Sequence, residues 1–410
     1  MKTSHILKRI LKLSYLSLAL IPLTKENINS ILIIVCVGLT LIFKLKFKER
    51  FQFDKQLLYL SLPFWTILLY NIFTFDFSLK MVLLYLPFLV FPLLLKNKPD
   101  CIEHKLFVSS VKVFQCSLIV HLTISFIMYL GAYNIYDMFK VSPENIPFFR
   151  SFFYHENFLE IHPTYFSMFL LLSASISIRS FFKKEISSKH KMFSMLNSIL
   201  CFFVILLLSS KMVILTTGFT VFFMLSTNFR SLDKTQLRFA LISFGLITIT
   251  FSFIFKDVVG ERFKEIKTEY KKPIEGLYFN STNVRVAIIK CSMGLISEVP
   301  VLGYGNSLQA DLNKCYRAKY NSDFYLRGGY NTHNYYMHLL LYGGFLFFIV
   351  FIVYICKLFN KLKGSYIGLL FLVQILIINL TENFLGRHYG IVFFTYFISI
   401  YYFSINKKNG

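Results

Sequence analysis

Long apolar runs separated by short polar segments make up most of the sequence. A helix needs about 20 mostly apolar residues to cross the hydrocarbon core of a bilayer. About twelve runs approach that length, and each predicts a membrane-spanning helix. They lie near residues 6–23, 28–43, 57–74, 79–95, 106–130, 161–179, 193–208, 211–227, 239–255, 331–356, 364–380 and 388–405. The pattern therefore predicts an all-α, polytopic membrane protein with about 12 transmembrane helices.

Two segments between the apolar runs, roughly 131–160 and 256–330, are too long to be simple turns. Loops longer than about 15 residues in a compact protein are usually functional or disordered. Within the second segment Val284, Ile288, Cys291 and Leu295 recur at helical spacing, which predicts a short amphipathic helix.

The runs and the loops together predict three parts of the chain. Residues 1–255 carry spans one to nine, and residues 256–330 form a large loop with an amphipathic helix. Residues 331–410 carry spans ten to twelve.

The composition agrees with a lipid environment. Hydrophobic residues make up 55% of the chain and charged residues only 16%, whereas a soluble domain carries about a quarter charged residues. The first apolar run is flanked by basic residues and lacks a small-residue cleavage site, so no cleavable signal peptide is expected.

The net charge of +23 would suggest a nucleic-acid partner in a soluble chain. The distribution of the basic residues along the chain indicates instead that they orient the protein in the membrane. With the N-terminus inside, the segments assigned to the cytoplasm hold 25 Lys and Arg residues and the short outer segments hold six. Cytoplasmic loops of membrane proteins carry such an excess. We therefore expect both termini in the cytoplasm, contact with membrane lipids, and no nucleic acid.

The seven cysteines do not form a disulfide framework. Cys291 and Cys315 share the large loop and could pair if it faces an oxidising compartment, although we expect free thiols.

Candidate chemistry lies in polar residues at the predicted membrane boundary, because no soluble-enzyme motif is present. His333 precedes the tenth span, where the positive end of the helix dipole opposes protonation. A neutral imidazole there could accept a proton from a sugar hydroxyl. A histidine that caps the helix or lies at the headgroup level is the simpler alternative.

Other polar residues leave similar alternatives open. Arg285 offers a guanidinium fork suited to phosphate, or is a solvated arginine. Lys211 is an interface anchor or a cation aimed into an outer cavity. Gly303 and Gly305 permit a tight turn that could present N–H groups to an anion, although a simple turn is the default. Glu382 lies in the last short outer turn, where a Glu–Arg pair could simply hold helix ends together.

Four short motifs follow one another in an order that resembles the O-antigen ligase and O-antigen polymerase superfamily. They are Asn283-Val-Arg285, Val301-Leu-Gly303-Tyr-Gly305, His333-Asn334 and Gly343-Gly344. The position after a long outer loop and the topology also match, and the motifs cover roughly residues 280–350.

The resemblance implies a GT-C-like, metal-independent glycosyltransferase without a cofactor or nucleotide sugar. Such enzymes take a glycan from an undecaprenyl-diphosphate donor at the periplasmic face of the bacterial inner membrane. They transfer it to lipid A–core, to a protein hydroxyl in some relatives, or to another lipid-linked glycan. By position, His333 resembles the catalytic base, and Arg285 resembles the residue that binds the donor diphosphate. Lys211 stands where many members have Arg, and Asn334, Gly303 and Gly305 support the site.

Three functions are compatible with the sequence. A ligase of the O-antigen type is favoured, and a repeat-unit polymerase of the same superfamily shares its donor chemistry. A transporter or flippase without catalysis predicts ionisable residues at mid-membrane and inverted repeats. The charges instead cluster at the ends of the apolar runs.

Overall fold

The structure of the protein is a computed structural model. It describes residues 2–75, 77–102, 105–141, 147–183, 186–228, 255–272, 274–277, 279–327 and 329–405. Apart from its last residue, the predicted ninth span, 239–255, lies outside the described residues.

Helices account for the regular structure of the described ranges, which contain two isolated β-bridges and no strand. The α-helices are α1 (Lys2–Ser17), α2 (Glu26–Phe47), α3 (Lys55–Leu60), α4 (Leu62–Phe73), α5 (Leu79–Tyr85), α6 (Pro87–Lys96), α7 (Lys105–Ala132), α8 (Phe148–His155), α9 (Pro163–Phe181), α10 (Ser188–Leu208), α11 (Lys211–Asn228), α12 (Lys256–Glu269), α13 (Ser281–Ser297), α14 (Leu308–Lys319), α15 (Tyr335–Leu362), α16 (Tyr366–Ile378) and α17 (His388–Ile405). Single 3₁₀ turns lie at Ile21–Leu23, Ile135–Phe139, Gly305–Ser307, Phe324–Arg327 and Phe384–Gly386.

Six helical stretches of the described part are long and apolar enough to cross a membrane. They are Glu26–Phe47, Leu79–Lys96, Leu106–Ala132, Pro163–Phe181, Ser188–Leu208 and Tyr335–Leu362. Shorter apolar helices are α4, α16 and the stretch Lys211–Thr227 of α11. The structure therefore confirms an all-α, polytopic membrane protein. The count of twelve spans and the GT-C class stay predictions.

The chain forms two compact units. The first consists of Met1–Ser117 and Lys271–Gly410, and the second of Leu118–Tyr270.

The first unit is built around α17, which packs along α6. Phe88 lies 6.0 Å from Phe394, and Phe91 lies 5.4 Å from Tyr396, measured between ring centroids. All four rings are almost fully buried. In lipid such close packing, rather than release of water, holds helices together.

The second unit is built around the pair α9 and α10. Small serines on α9 let the two helices approach, and the amide of Asn197 crosses between them. Its Nδ2 donates to Ser173 Oγ at 3.0 Å and to Ser177 Oγ at 2.8 Å. Small residues and interhelical hydrogen bonds of this kind are typical of membrane helix pairs.

Candidate active site

The start of α15 is fixed to the end of α16 by one asparagine. The Oδ1 of Asn334 accepts a hydrogen bond from the Met337 N–H at 3.0 Å and so caps α15. Its Nδ2 donates to the carbonyl of Leu380 at 2.9 Å. His333, the preceding residue, is therefore held at the N-terminal end of α15.

His333 has a left-handed backbone conformation with φ of +43°. Its N–H donates to Asn331 Oδ1 at 2.9 Å, and its ring lies 6.1 Å from the ring of Tyr330. A side chain with a Cβ adopts this conformation at a cost of about 1–3 kcal/mol, and such residues cluster at functional sites. The hydrogen bond to Asn331 thus accompanies a strained backbone at His333.

One carboxylate joins the two residues that the motifs singled out. Glu382 Oε1 accepts a charge-assisted hydrogen bond from Arg285 Nη2. Its other oxygen, Oε2, lies 3.5 Å from His333 Nδ1. The Glu382 side chain is only 10% exposed, against 28% for His333 and 37% for Arg285. Arg285, Glu382 and His333 therefore form one cluster, which we call the Glu382 cluster.

The geometry of the Glu382 cluster suits acid–base chemistry. A carboxylate beside Nδ1 favours the tautomer that carries its proton there, which leaves Nε2 able to accept one. His333 Nδ1 is buried without a hydrogen-bond partner among the described residues. A small movement of the ring would therefore complete a hydrogen bond to Glu382.

The sequence predicts only a structural role for Glu382. In the structure it pairs with Arg285, a residue 97 positions earlier in the chain. A signal was present, since Glu382 is the only acidic residue after Asp323. An isolated acid between two apolar runs is costly unless it has a partner.

The Gly303 turn packs directly against a break in α15. Gly303 has φ of +73°, and a Cβ added there would lie 2.4 Å from the carbonyl oxygen of Tyr342. Gly344 has φ of +66°, and a Cβ there would lie 2.1 Å from the carbonyl oxygen of Val301. The two backbones touch, so glycine is required on both sides.

Hydrogen bonds hold this turn against α15. The Tyr304 N–H donates to the Leu341 carbonyl at 2.7 Å, and the Gly303 N–H donates to the Pro300 carbonyl at 2.8 Å. These two N–H groups are thus used within the protein rather than presented to an anion. Gly305, also at positive φ, is buried and begins the following 3₁₀ turn.

A disulfide joins Cys291 of α13 to Cys315 of α14, contrary to the expectation of free thiols. Both helices are part of the segment between α12 and α15. The buried Tyr316 next to it donates to the Tyr330 carbonyl at 3.2 Å. Burial raises the pKa of Tyr316, so its phenol keeps the proton that it donates. Because Cys291 and Arg285 both lie on α13, the disulfide restrains the helix that carries Arg285.

Lys211 begins α11 and belongs to the second unit. Its Nζ lies 3.3 Å from Glu265 Oε2 on α12, with side-chain exposures of 15% and 4%. Ser209, at φ of +42°, makes the turn before it. Each of the two predicted donor-binding cations is thus paired with a largely buried glutamate that the sequence did not predict as its partner. Arg285 and His333 share Glu382, whereas Lys211 is paired with Glu265.

Among the described residues no group of three or more His, Cys, Asp and Glu side chains could hold a metal ion.

The fold and the Glu382 cluster together define a polytopic helical membrane protein with a histidine, a carboxylate and an arginine gathered at helix ends. Residues 196–352 match the family model described as O-antigen ligase. This match confirms the resemblance to the O-antigen ligase and polymerase superfamily. It includes Lys211, Arg285 and His333 and ends before Glu382. Members of the family are glycosyltransferase- or ligase-type enzymes with lipid-linked glycan substrates. No curated protein matches the chain.

Proposed function

We propose that the protein is an O-antigen ligase-type glycosyltransferase. It moves a glycan from an undecaprenyl-diphosphate donor to lipid A–core at the periplasmic face of the bacterial inner membrane, with both termini in the cytoplasm. The observation that carries the proposal is the Glu382 carboxylate, which contacts both Arg285 and His333.

In this proposal His333 is the general base. A sugar hydroxyl is a weak nucleophile, and a positioned base contributes about 10²–10⁴-fold to such a reaction. The acceptor proton moves to Nε2 while the hydroxyl oxygen attacks the anomeric carbon. The bond from that carbon to the diphosphate oxygen breaks, and its electron pair leaves with the diphosphate. Attack from the opposite side inverts the anomeric centre.

Glu382 positions His333 and stabilises the imidazolium that forms. Before the reaction the cluster holds one arginine, one carboxylate and a neutral imidazole, so its charges cancel. After the proton transfer it carries one net positive charge. The diphosphate gains negative charge in the same step, and fixed cations stabilise such a change. The cluster therefore becomes more positive in the same step in which the leaving group becomes more negative.

Arg285 contacts the leaving diphosphate in this mechanism. A guanidinium has five N–H donors in a planar fork, and Glu382 takes a hydrogen bond from one Nη. The side chain is 37% exposed, so part of the fork remains accessible to a ligand. Lys211, on the second unit, is proposed as a further cation for the donor. It supplies a point charge instead of a bidentate fork.

The test is glycan transfer by the purified protein in proteoliposomes, with lipid-linked donor and lipid A–core supplied together. We expect His333→Ala to lower the rate by about 10²–10⁴-fold at an unchanged amount in the membrane. His155→Ala, at an exposed histidine, is the matched control and should keep wild-type activity. Retained transfer by His333→Ala would remove His333 as the base.

Deletion of the gene separates the ligase from a polymerase of the same superfamily. Loss of all attached glycan chains indicates the ligase, whereas core bearing a single repeat unit indicates the polymerase. A transporter without catalysis gives no transfer in the proteoliposome assay, because donor and acceptor are already mixed there.

A further inference from the structure

A cavity of about 290 Å³ lies at the C-terminal ends of α15 and α17, beside α3. This is the end of α15 opposite to His333. Its lining includes Tyr59, Tyr354, Lys357, Leu358, Lys361 and Tyr402. Its size is near the lower limit of ligand pockets, about 300 Å³. It fits a headgroup or part of one chain rather than a whole lipid.

The wall of the cavity is mainly apolar. Tyr354 and Leu358 are 3% and 2% exposed, and Tyr402 is 6% exposed. These side chains form a floor on which the hydrocarbon part of a ligand can pack. A free inorganic anion would leave this floor uncovered.

The rim of the cavity is cationic. Lys357 Nζ lies 5.3 Å from the centre of the Tyr59 ring, and Lys361 Nζ lies 5.7 Å from the centre of the Tyr402 ring. Neither ammonium forms an ion pair within the part of the chain that the structure describes. The nearby Asp54 carboxylate is paired with Lys96 instead. Two cations therefore stand at the mouth of an apolar cavity, each against an aromatic face.

The spacing of the two lysines favours an anion between them. Residues four apart on a helix lie on the same face, and like charges at this spacing repel each other. The negative end of the α15 dipole favours a lysine near the helix end, but it does not account for the aromatic-lined cavity. An anion shared by the two ammonium groups would relieve the repulsion.

We propose that this cavity binds an anionic glycerophospholipid, with the lipid phosphate between Lys357 and Lys361 and the adjoining hydrocarbon on Leu358 and Tyr354. Because α15 is long and apolar enough to cross a membrane, its last turns lie where an apolar phase meets water and where lipid phosphates are found. Basic pockets between membrane helices bind anionic headgroups in this way. The amides of Gln56 and Asn360, which also line the cavity, can donate to the phosphate or the glycerol.

Native mass spectrometry of the full-length protein tests the proposal. The protein in detergent is first incubated with phosphatidylglycerol, with phosphatidylcholine or with inorganic phosphate. The detergent is then removed in the mass spectrometer, and the bound molecules that stay on the protein are counted. We expect retention of phosphatidylglycerol over phosphatidylcholine. Each lysine removed should weaken retention about five-fold, and the double variant Lys357→Gln/Lys361→Gln about 30-fold. The matched control, Lys46→Gln/Lys48→Gln, removes two exposed lysines at the end of α2 and should behave as wild type.

Three results would overturn the proposal. They are equal retention of the two lipids, equal loss in the control variant, and displacement of phosphatidylglycerol by millimolar inorganic phosphate. The last result would assign a phosphate site rather than a lipid site.

A second measurement needs no variant. A phosphatidylglycerol analogue with a photoreactive group in its glycerol headgroup should label the wild-type protein in the peptides that hold Tyr354 to Lys361 or Tyr402. Labelling that is spread evenly over the membrane helices would contradict a specific site.

Discussion

The Nδ1 atom of His333 lies 3.5 Å from the Oε2 atom of Glu382, and the same carboxylate holds Arg285 through its other oxygen. A base, its positioning carboxylate and a cation for the leaving group thus meet in one cluster. The three residues come from the turn before α15, the turn after α16 and the first turns of α13. Each contribution can be tested separately.

Glu382→Gln keeps the size of the side chain and removes its charge. The imidazolium that forms during transfer then loses its counter-charge, so we expect kcat to fall by about 10²-fold or more. The KM for the acceptor should change little. Steady-state kinetics in proteoliposomes measure both. Glu298→Gln, at an exposed glutamate at the end of α13, is the control, and an equal loss there would show that the effect is general.

Arg285→Lys keeps a positive charge beside Glu382 but loses the planar fork. We expect donor kcat/KM to fall about ten-fold in Arg285→Lys and about 100-fold or more in Arg285→Ala. Lys290→Ala changes an exposed cation of the same helix and should retain wild-type kinetics. Near-normal use of the lipid diphosphate donor by Arg285→Ala would exclude Arg285 from donor binding.

Two residues of the Glu382 cluster could be predicted from the sequence, and the third could not. The motifs identified Arg285 and His333 because each belongs to a short local pattern. Glu382 belongs to no such pattern, and its partner lies 97 residues away. Only the three-dimensional arrangement of α13, α15 and α16 brings the two together.

Lys211→Arg and Lys211→Ala test the cation of the second unit. If Lys211 binds the donor diphosphate, Lys211→Arg should keep most of the activity. Lys211→Ala should then lower donor kcat/KM about ten-fold or more. Lys211→Ala also leaves the largely buried Glu265 without this cation, which destabilises the fold. The double variant Lys211→Ala/Glu265→Gln removes that penalty. Recovery of stability without recovery of activity would support the donor role, and recovery of both would contradict it.

Gly344→Ala should destabilise the protein, because the new methyl group would meet the Val301 carbonyl at 2.1 Å. The positive φ adds a backbone cost, so we expect a loss of about 2–4 kcal/mol. Thermal unfolding in detergent measures the effect as a lower midpoint. Gly38→Ala in α2 has open space around it and should be neutral or stabilising by up to about 1 kcal/mol. Equal behaviour of the two variants would contradict the close backbone contact.

The Cys291–Cys315 disulfide closes a loop with a sequence separation of 24, which corresponds to about 3 kcal/mol of stability. A thiol reagent added to the denatured, unreduced protein should modify the five free cysteines, and all seven after reduction. Cys291→Ser/Cys315→Ser should lower the unfolding midpoint. The control Cys116→Ser/Cys356→Ser changes two exposed free cysteines and should leave it unchanged. Seven modified thiols without reduction would show that the bond is absent in the cell.

The helices themselves were easier to predict than their contacts. The expected start of one span at residue 211 agrees with α11, and the expected span 79–95 agrees with Leu79–Lys96. The length of an apolar run is a local property of the sequence, so it predicts the position of a helix without knowledge of the helix's neighbours. The Gly344 break, in contrast, accompanies the close approach of a turn about 40 residues earlier in the chain. The Gly343-Gly344 motif permits such a break but does not show which turn packs against it.

The break at Gly344 also bears on how the chain is assembled in the membrane. Lipid offers no hydrogen bonds, so backbone groups released by a broken helix require partners from the protein. The Leu341 carbonyl accepts from the Tyr304 N–H, and the Tyr342 carbonyl accepts from the Tyr70 hydroxyl. Both partners precede α15 in the chain. They have therefore been synthesised before α15 leaves the ribosome, so the broken helix meets its partners as it inserts.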